Sequence, residues 1–150
     1  MIKIKSPHEI KLMAEAGQIG ELVAPGITTR ELDHAARKVI EGYGAKPSFL
    51  GYGGFPGSIC CSINDEVIHG IPGSRKVKQG DIVKIDVGAL YMGYHGDCAA
   101  TYAAGAIPES TQKLIQVTRQ SFYEGIKYAR ERYRISDISR AIDEYTVKHG

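Results

Sequence analysis

The sequence predicts an α+β fold in which helices at both ends flank a mainly antiparallel sheet. Two observations carry this. Apolar residues recur at helical spacing before residue 44 and again after residue 108, and the stretch between them holds short apolar or alternating runs separated by Gly-, Pro- and Asn-containing turns. With 150 residues and 43% hydrophobic content the chain can build one domain with a real core, and 24% charge is ordinary for a soluble globular protein.

The elements follow in chain order. Ser6-Pro7-His8-Glu9 is a capping box with proline at the first helical position, and Ile10, Met13, Ala14 and Gly17 continue at helical spacing, so a first helix is expected from Pro7 to Ala24. Pro25-Gly26 ends it. Thr28 with Glu31 forms a second capping box, and Leu32, Ala35, Ala36, Val39, Ile40 and Tyr43 make the apolar stripe of a second helix closing at Gly44. From Ala45 to Gly57 the composition turns to Gly, Pro and aromatics, which predicts an irregular loop, and loops with bulky apolar residues usually line something. Ile59 to Ile63, Glu66 to Ile68, Asp81 to Leu90 and Tyr94 to Ala104 read as strands. Thr111 to Arg132, with Leu114, Ile115, Phe122 and Ile126, and Ser136 to His149, with Ile138, Ala141, Ile142 and Tyr145, read as a third and a fourth helix.

A faint repeat links the second and fourth helices. Glu31-Leu32-x-x-Ala35-Ala36-x-x-Val39, closing at Gly44, matches Asp137-Ile138-x-x-Ala141-Ile142-x-x-Tyr145, closing at Gly150. Amphipathic helices resemble one another by chance, so the competing explanation is coincidence; a true repeat would make the chain one complete α/β unit plus the opening helices of another.

Charge excludes little. The 19 basic and 17 acidic residues leave +2 without a long basic run, which points to neither nucleic acid nor an anionic membrane. The start lacks an apolar signal segment and no stretch approaches the ~20 apolar residues of a membrane span, so a cytoplasmic location is expected. Three cysteines, Cys60, Cys61 and Cys98, suit reduced thiols better than a disulfide framework.

The residues with most chemistry are Asp86, inside the apolar run Ile82-Val83-Lys84-Ile85-Asp86-Val87, and Asp97, just past Tyr91-Met92-Gly93-Tyr94-His95-Gly96. A charge inside such a run is expensive unless compensated. If the hairpin loop is Tyr91-Met92 the two aspartates lie directly opposite; if it is Met92-Gly93, a better turn dipeptide, they are diagonal neighbours. Opposed Cβ atoms stand ~5 Å apart and diagonal ones ~7 Å, a range at which like charges repel and a divalent cation would reverse the penalty. The competing account is that Asp86 bonds to backbone and Asp97 sits in a solvated turn. Two acids do not complete a metal site, and no HExxH, CxxC or EF-hand pattern supplies the rest.

His69 lies at a predicted strand end beside Gly70-Ile71-Pro72, where a structural hydrogen bond and an acid/base or substrate-polarising role are both open. His95 shares the face of Asp97 by strand parity unless Gly96 forms a bulge. Tyr52, Phe55 and Cys60 could wall an apolar pocket or pack the loop onto the sheet, while Gly51-x-Gly53 lacks the Lys and following helix of a phosphate loop.

Taken together, Tyr52-Gly53-Gly54-Phe55-Pro56-Gly57-Ser58-Ile59-Cys60, Ser62-Ile63-Asn64-Asp65-Glu66-Val67-Ile68-His69-Gly70-Ile71-Pro72, Gly80-Asp81-Ile82-Val83-Lys84-Ile85-Asp86-Val87-Gly88 and Gly93-Tyr94-His95-Gly96-Asp97 closely resemble type I methionine aminopeptidase. The match is ordered and spans the chain. The resemblance implies the pita-bread fold, two pseudosymmetric α/β halves enclosing two divalent metal ions (Co, Mn, Fe or Zn). It also implies removal of the initiator methionine from peptides or nascent proteins, with the ribosome as a partner. Under it Asp86 chelates one metal and Asp97 bridges both, while His69 contacts the scissile peptide and stabilises the transition state. Tyr52, Phe55 and Cys60 then wall the pocket for the methionine side chain, and a metal-activated water is the attacking group.

The same resemblance implies three further ligands, one histidine and two glutamates, and a second substrate histidine beyond residue 150. Glu109, Glu124, Glu131 and Glu144 fall in the turn or helices after the sheet and do not replace them. The expectation is one incomplete pita-bread domain, its first half at 1–108 and the start of the second at 109–150, inactive by itself. Alternatives are a non-catalytic binding module on the same half-fold and a proline-specific peptidase, the latter disfavoured by the Tyr52 to Cys60 pocket.

Overall fold

A computed structural model describes residues 18–150. The first helix expected from Pro7 falls mostly outside them; its described end, Gln18–Leu22, is a 3₁₀ turn.

Helix α1 (Thr29–Gly42) forms where the capping box sits. Glu31 donates its N–H to Thr28 Oγ1 at 3.2 Å and returns its carboxylate to the Thr28 N–H at 2.7 Å, an arrangement worth ~1 kcal/mol. Its stripe Leu32, Ala36 and Ile40 is fully buried, and each large side chain so buried contributes roughly 1.5–3 kcal/mol. These residues pack on one face of a four-stranded antiparallel sheet, against Ile59, Cys61, Ile63, Val83, Ile85, Val87 and Ala89.

The sheet comprises β1 (Lys46–Pro47), β2 (Ile59–Ile63), β3 (Ile82–Tyr91) and β4 (Tyr94–Ala103). β3 is central. β4 follows it along one edge for its whole length, while β2 pairs with residues 83–87 and β1 with residues 89–90 along the other. Because side chains alternate, the odd positions of β3 from Val83 to Ala89 enter the core and the even ones, Lys84, Asp86 and Gly88, turn to the opposite face.

The β3–β4 hairpin turns at Met92-Gly93, both at positive φ (49° and 84°), as a two-residue type I′ turn requires. Of the two loops open from sequence, this is the diagonal one.

Two expectations are corrected. Glu66 to Ile68 is not a strand. Asn64, at φ 54°, turns the chain out of β2, and the Glu66 carboxylate folds back to accept the Ile63 N–H at 2.7 Å, leaving Val67 and Ile68 exposed. The predicted loop Ala45 to Gly57 contains the short strand β1 and a 3₁₀ turn at Tyr52–Gly54.

The chain divides into two compact units, ending at Ile107 and beginning at Pro108. The second holds α2 (Glu109–Ile126), which ends six residues before the expected Arg132, and α3 (Ile135–His149). Within it Ile138 and Ile142 lie against Gly125, whereas Leu114, Phe122 and Ile126 of the predicted stripe are exposed. α3 opens as α1 does, with an acid at its third position, Asp137, accepting the N–H of the residue before the helix, Arg134, at 2.8 Å. No helix among the described residues is long and apolar enough to cross a membrane.

Candidate metal centre

The face of the sheet turned away from α1 carries the acids. Asp86 stands between Cys60 on β2 and Ala99 on β4, and Asp97 stands opposite Gly88. Strand parity puts Cys60, Asp86, Gly88, His95 and Asp97 on this one face, and the unbroken β3–β4 register means no bulge at Gly96 removes His95 from it.

Asp86 is under electrostatic stress. Burial, then the neighbouring Asp97 charge and a hydrogen bond shared with it, push its carboxyl up to about 6, and His69 pulls partly the other way. Its Oδ1 is buried without a hydrogen-bond partner among the described residues. An oxygen of that kind, beside a second carboxylate, suits a hard divalent cation, which prefers oxygen donors. The donors present therefore fit a metal ion, though among the described residues no group of three or more His, Cys, Asp or Glu side chains comes together.

Cys60 is buried beside the pair. Burial and the charges of Asp86 and Asp97 raise its thiol to about 11, so it remains protonated and uncharged. All three cysteines are free thiols.

His69 lies in the loop after β2, near enough to Asp86 for its charge to lower that carboxyl. It is exposed and sits at φ 59°, a left-handed conformation costing a non-glycine residue of order 1–3 kcal/mol. The next residue holds it there. Gly70 donates to Ser62 Oγ at 3.0 Å and accepts from the Cys61 N–H at 2.9 Å, so close to β2 that a Cβ would lie 2.3 Å from the Cys61 carbonyl oxygen.

The loop before β2 is anchored from below. Buried Asp33 of α1 accepts the N–H groups of Ser58 and Ile59 at 2.6 and 3.1 Å, fixing where β2 and Cys60 begin. Phe55 is half-buried, whereas Tyr52 is 82% exposed and points to solvent. Sequence reasoning missed Phe49. A Cβ on Gly88 would lie 2.7 Å from the Phe49 ring, so that ring occupies the space over Gly88, opposite Asp97. The signal was a glycine inside an apolar strand, which often marks a close approach.

Residues 10–150 match metallopeptidase family M24. The chain belongs to that family. Among M24 relatives, methionine aminopeptidase 1 of Bacillus subtilis is 50% identical over 153 residues, covering 97% of this chain and 62% of its own length. Methionine aminopeptidase of Clostridium acetobutylicum is 49% identical, covering 100% of this chain and 64% of its own length. The chain thus spans less than two thirds of the curated relatives it matches. The crystal structure of methionine aminopeptidase from Thermotoga maritima superposes with a TM-score of 0.90 at 37% identity, covering all of this chain and 64% of that one. Prolidase from Pyrococcus furiosus, at 21% identity and a TM-score of 0.77 over 98% of this chain and 44% of its own, shows the fold alone. The M24 pita-bread architecture is therefore the fold of this chain, and metallopeptidases of this family depend on divalent metals.

Proposed function

We propose that this chain contributes the acid pair, the substrate-facing histidine and the side-chain pocket of a methionine aminopeptidase, which removes the N-terminal methionine from newly made proteins in the cytoplasm. The observation that supports it most is the buried Asp86 Oδ1, without a hydrogen-bond partner among the described residues, beside Asp97 on a face shared with Cys60. On this reading Asp86 would help to hold one divalent ion and Asp97 would serve both ions of the pair (Co, Mn, Fe or Zn). Bound there, the metal supplies Lewis-acid activation of water and of the scissile carbonyl.

The chain's own groups do the rest. His69, held by the pinned Gly70, donates a hydrogen bond at the scissile peptide and stabilises charge developing on its oxygen. Cys60, protonated and apolar, walls the pocket with Phe55 and Tyr52, and the unbranched thioether of methionine fills it. Units 1 and 2 are the first half and the opening of the second half of the pita-bread domain. Two aspartates are a small part of what a divalent ion wants, so the 150-residue chain alone binds metal weakly and turns over little or nothing.

Hydrolysis of a Met-Ala-Ser peptide with Mn²⁺ or Co²⁺ tests this. In a protein that carries the remaining ligands, Asp97→Ala abolishes turnover and metal-dependent stabilisation together; retention of either would refute the assignment. Brisk turnover by the 150-residue chain would refute the need for further ligands.

A further inference from the structure

The Ser48–His95 contact is unused by the mechanism above. Ser48 Oγ and His95 Nδ1 share a 2.9 Å hydrogen bond although 47 residues separate them. Ser48 leaves the sheet on the β1 edge, donating its N–H to the Gly88 carbonyl at 2.8 Å, whereas His95 lies on β4 along the other edge, opposite Leu90. The bond therefore crosses over β3. It crosses where β3 has no side chain: a Cβ on Gly88 would lie 2.8 Å from Ser48 Cβ and 2.7 Å from the Phe49 ring.

We infer that Ser48 and His95 form a clasp across β3, closing through the gap at Gly88, that holds the 49–57 loop over the acid pair and sets the fit of the substrate side chain. The loop's turn bonds, Gly51 N–H to Phe55 C=O and Tyr52 N–H to Phe49 C=O, lie within the loop itself. Its far end is tied by Asp33 at Ser58 and Ile59. The clasp ties the near end to β4, the strand that carries Asp97, so pocket wall and acid share one frame. Ser48, His95 and Gly88 are positioning residues, and their effect on selectivity rests on the aminopeptidase reading.

Backbone amide exchange in the 150-residue chain tests the clasp without turnover. Ser48→Ala and His95→Ala each speed exchange at residues 49–57 by about five-fold, the effect of losing one ordinary hydrogen bond. The double variant goes no further than either single one, and Ser48→Thr, which keeps the hydroxyl, restores protection. Gly88→Ala loosens the same loop with both partners intact, although in a strand the change from glycine to alanine otherwise favours order. Unchanged exchange in the single variants, additive effects in the double variant, or a tighter loop in Gly88→Ala would each overturn the clasp. In the ligand-complete protein the clasp variants raise KM for Met-Ala-Ser and leave kcat within about two-fold, against a loss of kcat if the loop served the acids directly. Absence of turnover in the unaltered protein would count against the aminopeptidase reading alone, with exchange still deciding the clasp.

Discussion

Asp86 and Asp97 are diagonal neighbours across the β3–β4 hairpin, Asp86 facing Ala99 and Asp97 facing Gly88. The offset leaves both carboxylates on one face and sets Gly88, which has no side chain, directly opposite Asp97, so that the space over Gly88 is open to the Phe49 ring. The pair is built at a cost, because burial and mutual repulsion oppose the ionised form of Asp86.

That cost makes stability depend on pH in an identifiable window. The folded-state pKa of Asp86 is raised from 3.8 to about 6, so its contribution is fully present below the unfolded value and is lost as pH rises from about 4 through about 6. Asp81 works oppositely. Its carboxyl is held low by the Lys78 N–H and Asn64, against the opposing effect of burial, so its contribution is present above 3.8 and is lost in stronger acid. Asp86→Asn should raise the urea midpoint at pH 7.5 and flatten the slope between pH 4 and 6. The gain is on the order of 1 kcal/mol after solvent screening. A midpoint lower than that of the unaltered chain at pH 7.5 would contradict it.

Protons and metal compete for the same carboxylate. Titration with Mn²⁺ should therefore show affinity falling as pH drops from 7.5 to 5.5, with protons released on binding at the lower pH. Asp86→Asn should remove both effects. Binding that is equal at the two pH values would place the ion elsewhere.

Gly70 tests the seat of His69. In Gly70→Ala the new methyl group meets the Cys61 carbonyl oxygen at 2.3 Å and must push the loop from β2, breaking the bonds to Ser62 and Cys61. A loss of roughly 2–3 kcal/mol is expected in denaturant unfolding, with accelerated exchange at residues 67–71. A loss under 0.5 kcal/mol would show that the loop is not seated as described.

Asp33→Ala strands two buried N–H donors, Ser58 and Ile59, at the start of β2. Each unsatisfied donor costs about 1–3 kcal/mol, so destabilisation of at least 2 kcal/mol should follow, with Asp33→Asn milder because its carbonyl oxygen still accepts. Equal effects of the two substitutions would remove hydrogen bonding as the cause.

What was legible in the sequence was local. The Thr28–Glu31 capping box joins residues three apart, and the stripe of α1 and the alternation of β3 follow from the geometry of single elements, so each was readable without knowing the fold. The expected strand at Glu66 to Ile68 failed because β-branched residues favour a strand only where a partner edge is available; here Asn64 and the Glu66 carboxylate turn the chain away first. Neither the exposure of Tyr52 nor the place of Phe49 over Gly88 was legible, because both depend on the path of the loop over the sheet.

The sequence by itself determined the α+β class, the antiparallel hairpin, the two carboxylates and the family, because periodicity, turn chemistry and ordered motifs are properties of neighbouring residues. Only the tertiary structure decided that the turn is Met92-Gly93 and so that the aspartates are diagonal. It alone brought Asp33 under Ser58, Gly70 against Cys61 and Ser48 across Gly88 to His95. Those contacts join residues 9 to 47 positions apart in the sequence, and they depend on strand register and loop path, which cooperative packing of the whole sheet sets and no local pattern encodes.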